Sequence, residues 1–177
     1  MLNIYINTWG NYNEHGADFG EWVTLPMDET ELQEKMDAIA AVMERHGVNA
    51  EEWFINDFEW TTLAPMRDID ENENIFELNE WIEKIDNLSS YESEVYAAAL
   101  EVWGAEYVDV DELDDYNLYS DINDEYDLGY YWAVESGCYD LNKMGSLSNY
   151  IDYAAFGRDI SYDTDGGFST YGWIEKC

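Results

Sequence analysis

The chain has 177 residues, with 41 acidic and 7 basic side chains and a net charge of −34; this excludes a nucleic-acid ligand held by its phosphates, which requires Lys and Arg. Hydrophobic residues at 46% and aromatics at 16% suffice for real cores and set the chain apart from acidic tails that stay disordered. No apolar run approaches the ~18 residues of a membrane span, and Cys138 and Cys177 are too few for a disulfide framework or a zinc site.

The opening Met1-Leu2-Asn3-Ile4-Tyr5 has no basic or hydrophobic leader region, so a cytoplasmic protein is expected. Leu2, Ile4 and Ile6 alternate with Asn3, Tyr5 and Asn7, the period of a half-buried strand. Gly10, Asn11, Asn13, Gly16 and Gly20 predict a loop, and Glu21 to Leu25 a second strand ending at Pro26. Asp28 or Thr30 begins a helix, with Asp28 and Glu31 at capping-box spacing. Leu32, Met36, Ile39, Ala40 and Met43 share its inner face, and Gly47 ends it. Trp53 to Trp60 reads as a third strand. His15 and His46 are expected in a loop or at a helix end.

Pro65 and the polar run Arg67 to Asn74 mark a boundary. Ile75, Leu78, Ile82 and Ile85 then form one helical stripe, with Glu77, Glu80 and Glu83 on the other faces. Ser89-Ser90 reads as a break. The next helix turns Val95, Ala98, Ala99 and Val102 inward and stops at Gly104, and a helical turn covers Asp109 to Asp114. A strand at Tyr116 to Tyr119 and a helix from Asp124 to Ser136, closed by Gly137, come next. Leu147 to Ile160 reads as helical or turn-rich, and Phe168 to Ile174 as one closing strand. The expected fold class is α+β, in three small domains: α+β over 1–64, all-helical over 65–113, and α+β over 114–177.

The 58 residues from Ile85 to Asn142 hold 16 carboxylates and neither Lys nor Arg. Ordinary surfaces intersperse the two signs. The same stretch carries 11 Tyr and Trp residues, so it folds. Carboxylates three or four apart on a helix lie ~5–6 Å apart, and two apart on a strand ~6.5–7 Å, near the spacing of successive phosphates. Thirty-four charges at the ~1.7 Å per charge of duplex DNA would span ~58 Å, against ~40 Å for a compact globule, so imitation of DNA predicts an elongated molecule. The candidate surface is Glu77, Glu80, Glu83, Asp86, Glu92, Glu94, Glu101, Glu106, Asp109, Asp111, Glu112, Asp114, Asp115, Asp121, Asp124, Glu125, Asp127 and Glu135.

Other chemistries fare worse. A calcium loop from Asp121 fails at Tyr126 and Trp132, and one from Asp163 fails at Gly167 and Phe168. No nucleophile motif, phosphate loop or dinucleotide fingerprint is present, and no carboxylate pair stands out for glycoside chemistry. No catalytic residue, cofactor or metal is therefore expected. The alternative is an acidic, salt-adapted or cation-binding interaction module without DNA imitation.

Three stretches resemble the ArdA family of antirestriction proteins: Gly20-Glu21-Trp22-Val23-Thr24-Leu25-Pro26, with Ile4-Tyr5-Ile6 and Tyr12-Asn13-Glu14 before it; Glu51 to Glu59; and Leu147 to Asp159. The last run looks like the family's Leu-x-Asn-Tyr-Ile-Asp-Tyr-x-Ala-Tyr-Gly-Arg-Asp, with Ala154 standing where an acidic or amide residue is common. The resemblance implies three small domains in an elongated, curved homodimer joined through the third. It implies a mimic of bent B-form DNA that occupies the groove of type I restriction–modification enzymes on their modification–specificity core, without binding nucleic acid or membrane itself. Family members are carried by plasmids and transposons of bacteria. In Tyr150, Ile151, Asp152, Tyr153, Phe156, Gly157, Arg158 and Asp159 a structural or dimer-forming role is expected, with Tyr150, Ile151 and Phe156 in the core and Arg158 paired with Asp152 or Asp159.

Overall fold

The alternation of Leu2, Ile4 and Ile6 produces strand β1 (Leu2–Thr8), the middle of an antiparallel sheet ordered β2-β1-β3, with β2 at Glu21–Leu25 and β3 at Trp53–Trp60. The computed structural model describes residues 1–61, 67–105 and 107–177; the expected boundary at Pro65 lies outside them. Leu2, Ile4 and Ile6 are fully buried. They share one core with Leu32, Met36, Ile39 and Met43 of α2 (Glu29–Arg45) and with Ile75, Leu78 and Ile82 of α3 (Ile75–Asp86). Asp28 caps α2 by accepting the Thr30 N–H at 2.8 Å, not the Glu31 N–H of a capping box.

The expected loop after β1 contains a short helix, α1 (Trp9–His15). Its residues carry no apolar period. They are held by buried polar groups: Thr8 Oγ1 accepts the Asn11 N–H at 3.2 Å, Asn11 Nδ2 donates to Asn7 Oδ1 at 2.8 Å, and Asn7 Nδ2 donates to Gly16 O at 3.1 Å. Trp9 stacks on Phe54 at 4.1 Å between ring centroids.

Helix α4 (Ser90–Trp103) begins at the expected break, with three residues between it and the end of α3. Ser89 and Glu92 form a reciprocal capping box, Ser89 N–H donating to Glu92 Oε2 at 2.7 Å and Glu92 N–H to Ser89 Oγ at 3.2 Å. A 3-10 turn (Val110–Asp115) leads into β4 (Tyr116–Tyr119). α5 (Glu125–Tyr130) widens into a π-helical turn over Tyr131–Glu135. A kinked 3-10 series (Leu141–Tyr150) precedes α6 (Tyr153–Asp163). The expected single closing strand is a hairpin of β5 (Gly166–Ser169) and β6 (Gly172–Lys176), in a sheet ordered β4-β6-β5. Gly172 takes φ +121°, and a Cβ there would stand 2.3 Å from the Tyr119 carbonyl oxygen, so the chain reverses where only glycine fits.

Contacts group the chain into two compact units, Met1–Leu88 and Ser89–Cys177. The sequence reading placed α3 and α4 together in 65–113; the stripe of α3 enters the first core, while α4 is tied to the second sheet. There Glu101 Oε2 accepts the Thr170 N–H at 2.6 Å, and Trp103 Nε1 donates to Asp165 Oδ1 at 3.1 Å. Buried Ile122, Leu128 and Trp173 centre the second core. α5 and α6 cross glycine on glycine: a Cβ on Gly129 would lie 1.9 Å from Tyr153 O, and one on Gly157 1.8 Å from Glu125 O.

Candidate functional site

Helix polarity sorts α3 into a buried stripe and an acidic face. Glu77, Glu80, Glu83 and Asp86 are all exposed on that face. It borders an open cleft of about 560 Å³ floored by Pro26, Met27 and Phe76 and edged by Asp28, Glu29, Glu80, Glu83 and Asp86. Asn79, 4% exposed, builds the cleft wall: its Oδ1 accepts the Met27 N–H and its Nδ2 donates to Met27 O, both at 2.9 Å. Asp28 and Glu29 were missing from the sequence-derived surface. The acidic start of α2 was visible, but its proximity to α3 was not.

In the second unit Glu92, Glu94, Glu101, Asp109, Asp111, Glu112, Asp114, Asp115, Asp121, Asp124 and Glu135 are exposed, and Glu125 and Asp127 are half-buried. Glu106 lies outside the described residues. Several of these carboxylates also shape the chain. Asp109 caps the 3-10 turn through the Asp111 N–H at 2.9 Å, Asp124 caps α5 through the Asp127 N–H at 2.9 Å, and Asp127 Oδ2 accepts the Asn123 N–H at 3.1 Å. Hydrogen bonding to the Ser89 side chain, and then to its backbone N–H, holds the Glu92 carboxyl below the usual glutamate range.

Internal counter-charge is scarce. Arg67 pairs with Glu73 and stacks over Trp81 at 4.3 Å; Lys143 pairs with Asp140 at 3.0 Å; Lys176 sits 5.2 Å from the centre of the Trp103 ring. Arg158 approaches Glu125 at 3.9 Å rather than Asp152 or Asp159. That corrects the expected pairing, and the cause is the α5–α6 crossing, which brings Glu125 to Arg158.

A second cleft, of about 490 Å³, is lined by Asp121, Asp127, Glu135, Tyr119, Tyr130 and Tyr131, among others. Tyr119 donates its hydroxyl to Glu175 Oε1 at 3.1 Å, and Glu175, 8% exposed, also accepts the Trp173 Nε1–H at 2.9 Å. Burial, reinforced by the Glu175 charge, holds the Tyr119 phenol far above its ordinary value, so it stays protonated.

In the 150–159 run the core assignment changes. Tyr150 is 84% exposed, and Ile151 and Phe156 are half-buried. Phe156 meets Tyr139 edge-on, and Tyr153 meets both Tyr126 and Tyr130 edge-on. Asp152 caps α6 through the Ala155 N–H at 3.0 Å. Gly157 is buried at the crossing, and Asp159 is exposed.

Among the described residues, no group of three or more His, Cys, Asp or Glu is placed to hold a metal ion, and no helix is long and apolar enough to cross a membrane. Residues 4–175 match the family model described as antirestriction protein (ArdA). No curated protein matches the chain.

Proposed function

The chain belongs to the ArdA family of antirestriction proteins, and we propose that it acts by presenting carboxylates in place of DNA phosphates to the DNA-binding groove of a type I restriction–modification enzyme, on its modification–specificity core. The observation that carries this reading is the state of the candidate carboxylates. Of the 17 that are described, 15 are exposed, in a chain with 41 acidic side chains against 7 basic ones. A groove lined with Lys and Arg for phosphates is complementary to that surface. The protein is an inhibitor with no chemistry of its own, and it works in the bacterial cytoplasm, where the enzyme and its DNA meet. It acts as a homodimer joined through its C-terminal part. Leu147, Tyr150 and Tyr162 there are 65%, 84% and 79% exposed, an apolar liability that a second copy would cover.

Competition tests this mechanism. Labelled duplex bound to the modification–specificity core is titrated with the protein at several salt concentrations. Mutually exclusive binding is expected. DNA affinity falls with salt by a logarithmic slope of about −0.9 per phosphate neutralised, through counterion release. The protein carries its charge at lower density, so its own slope is shallower. Its advantage over DNA is therefore greater near physiological salt than in dilute buffer. A ternary complex that keeps full DNA affinity would overturn the mechanism.

A further inference from the structure

The cleft between β4 and α5 is not merely anionic. Its carboxylates come from three local structures: Asp121 follows β4, Asp127 lies in α5 and Glu135 ends the π-helical turn. Its other lining residues are Tyr119, Tyr130 and Tyr131 with Leu118, Ser120 and Ile122. The face of an aromatic ring attracts a cation, and a guanidinium additionally stacks on it while its planar fork matches a carboxylate. A volume of about 490 Å³ accommodates such a head with its aliphatic stem. Among the described residues, no Lys or Arg lines the cleft.

The walls are fixed from behind. Tyr119 is anchored by its hydrogen bond to buried Glu175 and meets the Tyr131 ring at 5.2 Å. Tyr131 is also where the helix changes pitch: the Ser136 N–H reaches back five residues to Tyr131 O at 2.8 Å. Such π turns are uncommon, and they concentrate at functional sites.

From this cavity, its three rings and its three carboxylates, we infer that the cleft is a docking pocket for one arginine side chain of the restriction enzyme. The inference rests on the mechanism proposed above and goes further. An intact duplex covers its base faces by stacking and presents phosphates and base edges, so its phosphate array has no aromatic wall of this kind. The ring contribution needs no net charge, so the pocket would discriminate between cations by shape as well as by field.

Two arms test it on the full-length protein. In the first, acetyl-Gly-Arg-Gly-amide and its uncharged citrulline twin are titrated while the tyrosine ring resonances are followed by NMR. The arginine peptide is expected to shift Tyr130 and Tyr131, and the citrulline peptide to leave them in place. Tyr130→Leu should weaken the arginine peptide about five- to tenfold, and Tyr130→Phe should not. Asp121→Asn should also weaken it, whereas Glu94→Gln, outside the cleft, should have no effect. Equal responses to both peptides, or none to either, would overturn the pocket.

In the second arm Tyr130→Leu, which leaves the net charge untouched, is measured against the modification–specificity core. A five- to tenfold loss with unchanged mass and melting temperature supports arginine docking. Wild-type affinity in a correctly folded Tyr130→Leu protein overturns it while leaving charge mimicry standing. If the arginine peptide binds as expected but the wild-type protein fails to displace DNA, the pocket's chemistry stands and the antirestriction mechanism falls.

Discussion

Met1–Leu88 carries 21 acidic and 4 basic side chains and Ser89–Cys177 carries 20 and 3, a net −17 in each. Their interiors resist that self-repulsion differently. The first unit buries an aliphatic layer, with Leu2, Ile4 and Ile6 of the sheet against Leu32, Ile39, Leu78 and Ile82 of two helices. The second has a smaller sheet around Trp173 and closes α5 on α6 through bare backbone at Gly129 and Gly157. A surface that must stay anionic thus leaves two ways to hold a unit together. One is apolar area, which scales with size. The other is close approach, which depends on single residues.

The largest effect expected from a single change follows from that dependence. Gly157→Ala places a methyl 1.8 Å from the Glu125 carbonyl oxygen, a clash with rigid backbone that the crossing relieves only by opening. A loss of about 3 kcal/mol is expected, confined to the second unit. Hydrogen exchange under mild denaturant reads it: amides of β6 should lose protection while those of β1 keep theirs. Loss of protection in both units together would mean that they fold as one.

The first unit's counterpart is Asn79, which spans 52 residues of chain to satisfy both backbone groups of Met27. Asn79→Ala leaves a partly buried N–H and C=O without those partners, for an expected loss of about 2 kcal/mol. Chemical denaturation should show it, with the β6 amides unaffected. The variant also loosens the wall of the acidic cleft on α3, so any loss of inhibition beyond the loss of folded protein would point to that cleft.

How much of this was legible beforehand depended on which forces leave a period in the sequence. Burial of one face does, so β1, α2, β3 and the stripe of α3 were read correctly, down to Leu78 and Ile82. Polar bonds across a turn do not, so α1 passed for a loop although Asn7 and Asn11 hold it. Gly172 was passed over as the pivot of a hairpin, and Ser89, correctly read as the break between two helices, was not also read as the first half of a capping box with Glu92. Long-range partners leave no local trace: Arg158 meets Glu125 only because two glycines let their helices touch. The candidate surface was legible as composition, but its emphasis on Ile85 to Asn142 followed the gap between Lys84 and Lys143. By units the charge is even, and exposed Glu31, Glu34, Asp37 and Glu44 of α2 belong in the comparison.

Two quadruple variants sharpen that point. One neutralises Glu112, Asp114, Asp115 and Asp121 to amides, the other Glu31, Glu34, Asp37 and Glu44. Each removes four charges from a different unit. A loss of inhibition of about tenfold, or ~1.4 kcal/mol, is expected for the first. A smaller loss is expected for the second, because Lys35 and Arg45 already offset α2. Any one of these substitutions alone should change inhibition only slightly, since many screened contacts share the binding. Equal losses from both quadruple variants would show that total charge matters and the cation-free stretch does not.

The smallest effect concerns the start of the second unit. Ser89 Oγ accepts the Glu92 N–H, and the Glu92 carboxylate accepts the Ser89 N–H. Hydrogen bonding to the Ser89 side chain first, and to the Ser89 backbone N–H second, holds the Glu92 carboxyl below its ordinary range. A depressed carboxyl stabilises the fold above its unfolded value, and that contribution disappears as pH falls through the folded value. Acidification also discharges the other carboxylates and relieves the −34 repulsion, so the melting temperature of the wild-type protein alone would mix two opposite trends. Ser89→Ala separates them, because both proteins share the global relief and keep the backbone N–H at residue 89, and only one has the serine hydroxyl. A cap of this kind contributes about 1 kcal/mol. The melting difference between the two proteins should be full at neutral pH and should narrow as pH drops below the ordinary glutamate range. In the variant the Glu92 resonance should titrate closer to that range. A difference that stayed constant down to strong acid would mean that the serine hydroxyl alone caps α4 and that the glutamate contributes nothing.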